Sequence, residues 1–133
     1  METTETQMGE GRGQKADPPD LKLRTKEFAR RIIRLYSALP DQTVSQVLGK
    51  QVLRSGTSVV ANYREASRAR SKAEFIAKIG DCLKETDETD YWLELIADEE
   101  LVKPEKLAPL QDETRQLLAI FVTTINHAKA NHE

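Results

Sequence analysis

The chain has 133 residues, 32% of them charged and 5% aromatic, with six Gly, five Pro and one Cys. This length fits one domain, and the low content of aromatic residues, Gly and Pro favours helices over sheets. The single Cys82 excludes an internal disulfide and a zinc site built from several cysteines. Because no stretch approaches the roughly 20 apolar residues of a membrane span, we expect a soluble, cytoplasmic protein with no membrane partner.

Charge is distributed unevenly along the chain, although its overall net charge is only −2. Residues 22–78 contain 13 Lys or Arg and four Asp or Glu, a net charge of +9. Residues 79–113 contain three Lys or Arg and 12 Asp or Glu, a net charge of −9. This distribution predicts a folded protein with a basic half and an acidic half.

Residues 1–19 contain three Gly and two Pro and show no apolar periodicity. Such a segment cannot bury enough apolar surface to offset the entropy lost on ordering. We therefore predict a disordered tail over residues 1–19, a helical domain over 20–128 and a frayed C-terminus over 129–133.

The first half of the helical domain carries apolar residues at the 3.6-residue period of a helix. The first predicted helix begins at Leu21 and stops at Pro40, and the second covers about residues 44–66. The predicted inward face of the first helix comprises Leu21, Phe28, Ile32, Leu35, Tyr36 and Leu39. That of the second helix comprises Val44, Val47, Leu48, Val52 and Val59.

The second half of the domain shows the same period. Ser71 and Glu74 have the spacing of a capping box, which predicts that the third helix begins there. It reaches about Glu100, Pro104 marks a break, and the fourth helix starts near Glu105. The inward face of the third helix comprises Phe75, Ile79, Cys82, Leu83, Thr86, Thr89, Leu93 and Ile96. That of the fourth comprises Leu107, Leu110, Thr114, Leu117, Leu118, Phe121 and Ile125.

The connections between the four predicted helices are short. A connection of a few residues cannot return to the far end of a helix of this length, so neighbouring helices must be antiparallel. The sequence therefore predicts an all-α fold, an antiparallel up-down-up-down four-helix bundle.

No pattern typical of an enzyme is present. A di-iron site in a four-helix bundle needs Glu-x-x-His pairs, but His127 and His132 are the only histidines and neither has Glu three positions earlier. Neither histidine has a neighbour to orient it for nucleophilic catalysis, and there is no phosphate-binding loop or dinucleotide fingerprint. We predict no metal, no cofactor and no catalytic activity.

Basic residues fill the face of the first helix opposite its apolar face, and a second group follows the second helix. Arginine-rich surfaces attract polyanions, because the guanidinium group can bind two phosphate oxygens at once. The alternative is that these charges pair with the acidic third helix, within a chain or between chains. The candidate nucleic-acid-binding residues are Arg24, Lys26, Arg30, Arg31, Arg34, Arg64, Arg68, Arg70 and Lys72.

The second helix carries a second cluster of small and apolar residues beside its inward face. Small residues allow close approach of another backbone, which favours self-association. The alternative is a helix whose buried face is simply broad. The candidate oligomer-interface residues are Gly49, Leu53, Gly56, Val60 and Tyr63.

Polar residues lie along the facing sides of the second and third helices. Buried polar groups need hydrogen-bond partners, so a layer that fixes the register of the two helices is favoured over a catalytic site. The polar residues on these sides are Gln51, Ser55, Ser58 and Asn62 of the second helix and Thr86, Thr89 and Asp90 of the third, with Glu65, Glu85 and Glu88 at the edges.

Four runs of residues carry a resemblance to a known family: RSGTSVVANYREA at 54–66, SKAEFI at 71–76, LKET at 83–86 and ETDYWL at 88–93. In order and spacing they resemble the four-helix-bundle proteins related to those encoded in intervening sequences of bacterial 23S ribosomal RNA. The pattern covers about residues 21–128. Five residues match it, and the resemblance implies that they have a structural role in the polar layer: Ser58, Asn62, Glu65, Glu85 and Thr89. Many members have Gly where this chain has Ala66.

The resemblance implies a bundle that assembles into a homopentameric barrel. It also implies an absence of established catalytic activity. A related branch, the accessory variability determinant of diversity-generating retroelements, binds nucleic acid and a reverse transcriptase through a basic surface.

We expect a non-enzymatic, homo-oligomeric accessory protein that binds RNA or DNA, with a reverse transcriptase as a further partner. The alternative is a protein-interaction scaffold whose basic and acidic faces pair between subunits or with a protein partner.

Overall fold

The computed structural model describes residues 20–131. The predicted disordered tail over 1–19 and the last two residues lie outside the described residues. Four helices follow one another: α1 (Leu21–Ala38), α2 (Thr43–Ser67), α3 (Lys72–Asp98) and α4 (Pro104–Ala130). Residues 20–131 contain no strand. The predicted all-α antiparallel bundle is confirmed, while residues 129 and 130, predicted to fray, are helical.

Side chains define the beginning of two helices. Asp20 Oδ1 accepts a hydrogen bond from the Leu23 N–H at 3.1 Å, which satisfies one of the unpaired donors of the first turn of α1. Ser71 Oγ accepts a hydrogen bond from the Glu74 N–H at 3.0 Å, as the capping-box spacing predicts. The α4 helix begins at Pro104, where the missing N–H of proline costs nothing.

The core lies along the axis of the bundle and draws on all four helices. Its largest fully buried side chains include Phe28, Ile32, Val52, Val59, Ile79, Leu93, Ile96, Leu107, Leu117 and Phe121. These positions agree with the predicted inward faces.

Three predicted core residues face outward instead. Val44 and Val47 are each 55% exposed, because the buried face of α2 follows Ser45, Gly49 and Val52. Leu118 is partly exposed on the side of α4 that borders α3. The periodicity of a single helix shows that an apolar face exists, but its angle depends on where the neighbouring helices lie.

The two glycines of α2 form its contact with α1. A Cβ on Gly49 would lie 2.6 Å from Leu39 Cδ1, and a Cβ on Gly56 would lie 2.7 Å from Ile32 Cγ1. Both residues are buried in the described chain. Their assignment to an outward-facing oligomer interface is therefore corrected, since close packing within the chain already requires glycine at both positions.

The helices pack in chain order, α1 on α2, α2 on α3 and α3 on α4. The bundle closes only loosely, because α1 and α4 touch far less than the sequential pairs do. Within the described residues α1 and α3 are not neighbours. The most basic helix and the most acidic helix are therefore separated by the core.

Candidate nucleic-acid interface

The outer face of α1 carries a row of exposed cations at four-residue spacing: Lys22, Lys26, Arg30 and Arg34. Residues four apart on a helix are neighbours on one face. Two exposed apolar side chains share this face, Leu23 at 55% and Ile33 at 47% exposure. The face thus combines positive charge with apolar surface.

Arg24 is the predicted binding residue that the fold removes from this surface. Its Nε and Nη2 atoms donate to the Glu113 carboxylate of α4 at 2.8 Å each, and Nη2 also donates to Gln116 Oε1 at 2.8 Å. The hydrogen bond to Glu113 raises the pKa of Arg24. Arg24 therefore links the start of α1 to α4. Its predicted role as a nucleic-acid contact is corrected to a structural role.

Arg30 makes a different kind of pair. Its Nη1 lies 3.1 Å from Glu27 Oε2, one turn earlier on the same helix, and both side chains remain about half exposed. A surface pair of this kind contributes only about 0–1 kcal/mol. Arg30 is therefore still open to exchange its partner for a phosphate.

The end of α2 extends the basic face of α1. Because α2 runs antiparallel to α1, Arg64 reaches the start of α1, and Asp20, Lys22, Leu23, Lys26 and Arg64 line one shallow groove. The predicted residues Lys26 and Arg64, far apart in sequence, are thereby brought together. Lys22, which is not among the predicted residues, also belongs to this cluster.

Three further predicted cations lie around the α2–α3 connection. Arg68 and Arg70 are exposed at this turn, and the Arg70 backbone N–H donates to Glu74 Oε1 at 3.2 Å. Lys72 Nζ donates to the backbone oxygen of Asn131, near the end of α4. This contact uses Lys72 within the bundle, while the side chains of Arg68 and Arg70 point to solvent.

A second basic groove lies at the opposite end of α1, between α1 and α4. Arg31 and Arg34 line it together with Lys106, and its volume is about 280 Å³. Its apolar walls are formed by Leu35, Ala38, Val102, Leu107 and Leu110. Lys106 lies in the acidic segment of the sequence, so only the fold reveals its place beside the arginines.

The acidic residues of α3 pair with α2 and α4. Arg54 of α2 bridges to Glu85 at 3.4 Å and also contacts Glu88. Arg115 of α4 lies 3.6 Å from Asp90. Within residues 20–131, the ion pairs do not include Lys22, Lys26, Arg31, Arg34 or Arg64.

The five residues that the resemblance assigns to the polar layer are buried to different degrees. Thr89 Oγ1 hydrogen-bonds with Ser55 Oγ at 2.8 Å, a buried contact between α2 and α3. Glu65 pairs with Lys78 at 2.6 Å on the surface, and Glu85 pairs with Arg54. The other two predicted members, both partly buried on α2, are Ser58, which donates to the backbone oxygen of Arg54, and Asn62.

The remaining residues of the predicted oligomer interface are partly buried: Leu53, Val60 and Tyr63. Leu53 and Tyr63 pack against the core of the same chain, and burial raises the pKa of Tyr63. These contacts leave only part of the cluster for an external partner.

The described residues offer little for catalysis or metal binding. Between residues 20 and 131 there is no group of three or more His, Cys, Asp or Glu side chains arranged to hold a metal ion. Burial raises the pKa of the Cys82 thiol to about 12, so the thiolate needed for nucleophilic chemistry does not form near neutral pH. None of the described helices is long and apolar enough to cross a membrane.

Fold and surface together define a small antiparallel four-helix-bundle protein whose first helix is basic on its outer face. The chain belongs to the 23S rRNA-intervening sequence protein family, whose sequence profile matches residues 20–123. It is also similar to a protein of unknown function of the S23 ribosomal protein family from Bacteroides thetaiotaomicron VPI-5482. That crystal structure matches with 40% sequence identity and a TM-score of 0.75, over 80% of this chain and 95% of the other. No match was found among curated proteins.

Proposed function

We propose that this chain is a non-enzymatic, homo-oligomeric cytoplasmic protein that binds RNA or DNA through the outer face of α1. The observation that carries the proposal is the separation of α1 from α3 within the described residues. The carboxylates of α3 pair with Arg54 and Arg115, so they do not neutralise the cations on α1. The positive charge of that face is thus available to an external polyanion.

The spacing of the cations suits a phosphate backbone. Lys22, Lys26, Arg30 and Arg34 follow one another every four residues, or about 6 Å at 1.5 Å per residue. This is close to the separation of successive phosphates along one strand. Binding several phosphates releases condensed counterions, which supplies affinity without sequence specificity. Leu23 and Ile33 add apolar contacts for sugars or bases on the same face.

The double substitution Lys26→Glu with Arg34→Glu tests this interface. Both side chains are exposed, so the helical fold should survive. We expect the affinity for a single-stranded RNA or DNA oligonucleotide at moderate salt to fall by roughly tenfold or more, because two phosphate contacts become repulsive. Fluorescence anisotropy with a labelled oligonucleotide measures the change.

The matched control is Lys84→Glu with Lys103→Glu. These two lysines are exposed on α3 and at the start of α4, and neither belongs to the row of cations at Lys22, Lys26, Arg30 and Arg34. The control changes the net charge by the same amount but should retain most of the affinity. Equal losses in the two double variants would show that only total charge matters, and unchanged binding by the α1 variant would overturn the proposal.

The same charge separation supports a second candidate, a protein-interaction scaffold. A subunit that is basic on α1 and acidic on the diagonal helix α3 can pair its two faces with neighbouring copies or with a protein partner. Light scattering distinguishes the candidates. Assemblies that dissociate in high salt, from a protein with no affinity for nucleic acid, would favour the scaffold.

The proposed accessory role extends to a protein partner. Family resemblance implies a pentameric assembly, and the related branch of accessory variability determinants binds a reverse transcriptase through a basic surface. Co-purification of such an enzyme with the wild-type chain, but not with the Lys26→Glu, Arg34→Glu variant, would support this partnership.

A further inference from the structure

An open apolar groove runs along the outside of the α3–α4 contact, with a volume of about 710 Å³. Its apolar lining comes from Leu83 of α3 and from Leu118, Ala119 and Val122 of α4. Val122 is 44% exposed. Exposed apolar surface of this kind is typical of contact sites in soluble proteins.

Gly80 lies on the same face of α3, one turn before Leu83. A Cβ at Gly80 would have no atom of the described chain within 4 Å. Glycine in the interior of a helix is less stable than alanine, because it loses more conformational freedom on folding. At Gly49 and Gly56 packing against α1 explains the glycine, whereas at Gly80 the described fold gives no such reason. Close approach of another chain would supply one.

The groove carries one charge of each sign. Asp87 is exposed on the α3 side, and Arg115 on the α4 side is 61% exposed. Arg115 is held only loosely, since its Nε lies 3.6 Å from Asp90 Oδ1, which makes no hydrogen bond within residues 20–131. A nucleic acid would be repelled by the aspartates, so a polypeptide with an apolar centre and opposite flanking charges fits better.

The start of α2 offers such a surface on a different side of the same chain. Val44 and Val47, each 55% exposed, lie between Asp41 and Lys50 at three-residue spacing. Asp41, Val47 and Lys50 line one shallow surface with Gln42, Thr43 and Gln46, and Val44 lies beside it, one turn before Val47. An apolar pair flanked by an acid and a base is thus complementary to an apolar groove flanked by a base and an acid.

We propose that the Val44–Val47 surface of one copy docks into the α3–α4 groove of a second copy. Lys50 would then face Asp87 of the second copy, and Asp41 would face Arg115. This inference rests on the self-association in the proposed function and names the two surfaces that meet. Because the two surfaces differ, the contact is heterologous and generates a closed ring or an open filament.

Mixing two defective variants tests this pairing. Val47→Glu places a charge on the docking surface and leaves the groove intact, and Val122→Glu does the reverse. Each variant alone should be monomeric in sedimentation-velocity experiments, at a concentration where the wild type is oligomeric. An equimolar mixture should form a one-to-one dimer that grows no further, since one intact surface of each kind remains.

Ile33→Glu provides the control, because Ile33 is similarly exposed but lies on α1, outside both surfaces. This variant should assemble like the wild type. Circular dichroism of every variant checks that the helices are retained.

Four outcomes would count against the proposal in distinguishable ways. A monomeric wild type would overturn both this inference and the self-association in the proposed function. Oligomers that survive both Val47→Glu and Val122→Glu would overturn the two surfaces but leave self-association intact. Monomeric single variants that do not combine on mixing would overturn the heterologous pairing. Dissociation by Ile33→Glu alone would move the interface to α1.

Discussion

Among the non-glycine residues between 20 and 131, Glu100 alone has a positive φ. Its φ of 55° places it in the left-handed region just after α3, where Leu101 N–H donates to the Ile96 backbone oxygen at 3.1 Å and closes the helix end. A side chain in this region costs about 1 kcal/mol that glycine avoids.

We therefore expect Glu100→Gly to be more stable than Glu100→Ala by about 1 kcal/mol. Both variants remove the same exposed carboxylate, so the comparison isolates the backbone effect. Urea unfolding monitored by circular dichroism gives the two free energies. An alanine variant as stable as the glycine variant would contradict the assigned helix end.

Cys82 is fully buried, and its Sγ lies 3.8 Å from the backbone oxygen of Val59. Burial raises the pKa of the thiol from its ordinary value of 9.0 to about 12. Below pH 9 the thiol is neutral in the folded and unfolded chain, so its burial contributes fully to stability. As the pH rises from 9 towards 12, the unfolded thiol ionises first and this contribution is lost.

Two results should follow at Cys82. The thiol should resist alkylation by iodoacetamide at pH 8 until the chain is unfolded, as mass spectrometry can show. The wild type should also lose more stability between pH 9 and 12 than Cys82→Ala, which has no thiol to ionise. Rapid alkylation of the native protein would mean that the α2–α3 contact opens readily.

Two glycines within helices, Gly56 and Gly80, have opposite environments. Gly56 lets α1 approach α2, because a Cβ there would lie 2.7 Å from Ile32 Cγ1, whereas a Cβ at Gly80 would meet open space. Overpacking costs about 1–3 kcal/mol, which exceeds the gain of up to about 1 kcal/mol from alanine in a helix.

Gly56→Ala should therefore destabilise the chain, and Gly80→Ala should stabilise it by about 0.5–1 kcal/mol. Measuring both in the Val122→Glu background, which is expected to be monomeric, separates folding from assembly. Chemical denaturation gives both signs. A stabilising Gly56→Ala would contradict the α1–α2 packing described above, and a destabilising Gly80→Ala would contradict the open space at Gly80.

Local sequence patterns predict most of the four helices, but they predict few of the contacts between helices. Apolar periodicity and the Ser71–Glu74 spacing predict the helices and the start of α3, because these signals depend on nearby residues. The exposure of Val47 and the burial of Gly56 depend on the angle at which α1 meets α2. The Arg24–Glu113 pair joins positions 89 apart, so no local pattern could indicate it.

The candidate nucleic-acid interface also contains residues that local pattern predicts and residues that only the tertiary fold brings together. The row at Lys26, Arg30 and Arg34 could be predicted, because a helical wheel gathers these residues on one face. Lys106 could not, since its neighbours in sequence are acidic and only the bundle brings it to Arg31 and Arg34. Arg24 lies on the border of the same face, but its side chain donates to Glu113 of α4.

At the scale of the whole molecule, the order of the helices decides what the charges can do. In this up-down-up-down bundle the first and third helices lie on the diagonal, and the described residues show no contact between them. The basic outer face of α1 and the acidic helix α3 therefore lie on opposite sides of the core. The cations on the outer face of α1 are thus exposed and lie apart from the carboxylates of α3.

The salt dependence of nucleic-acid binding tests this central claim most directly. For a single strand, each phosphate contact contributes about 0.7 to the slope of log K against log salt concentration. Replacing Lys26 and Arg34 with Gln should therefore make the slope shallower by about 1.4 relative to the wild type. Parallel lines for the two proteins would show that these cations do not contact phosphate, and would contradict the account.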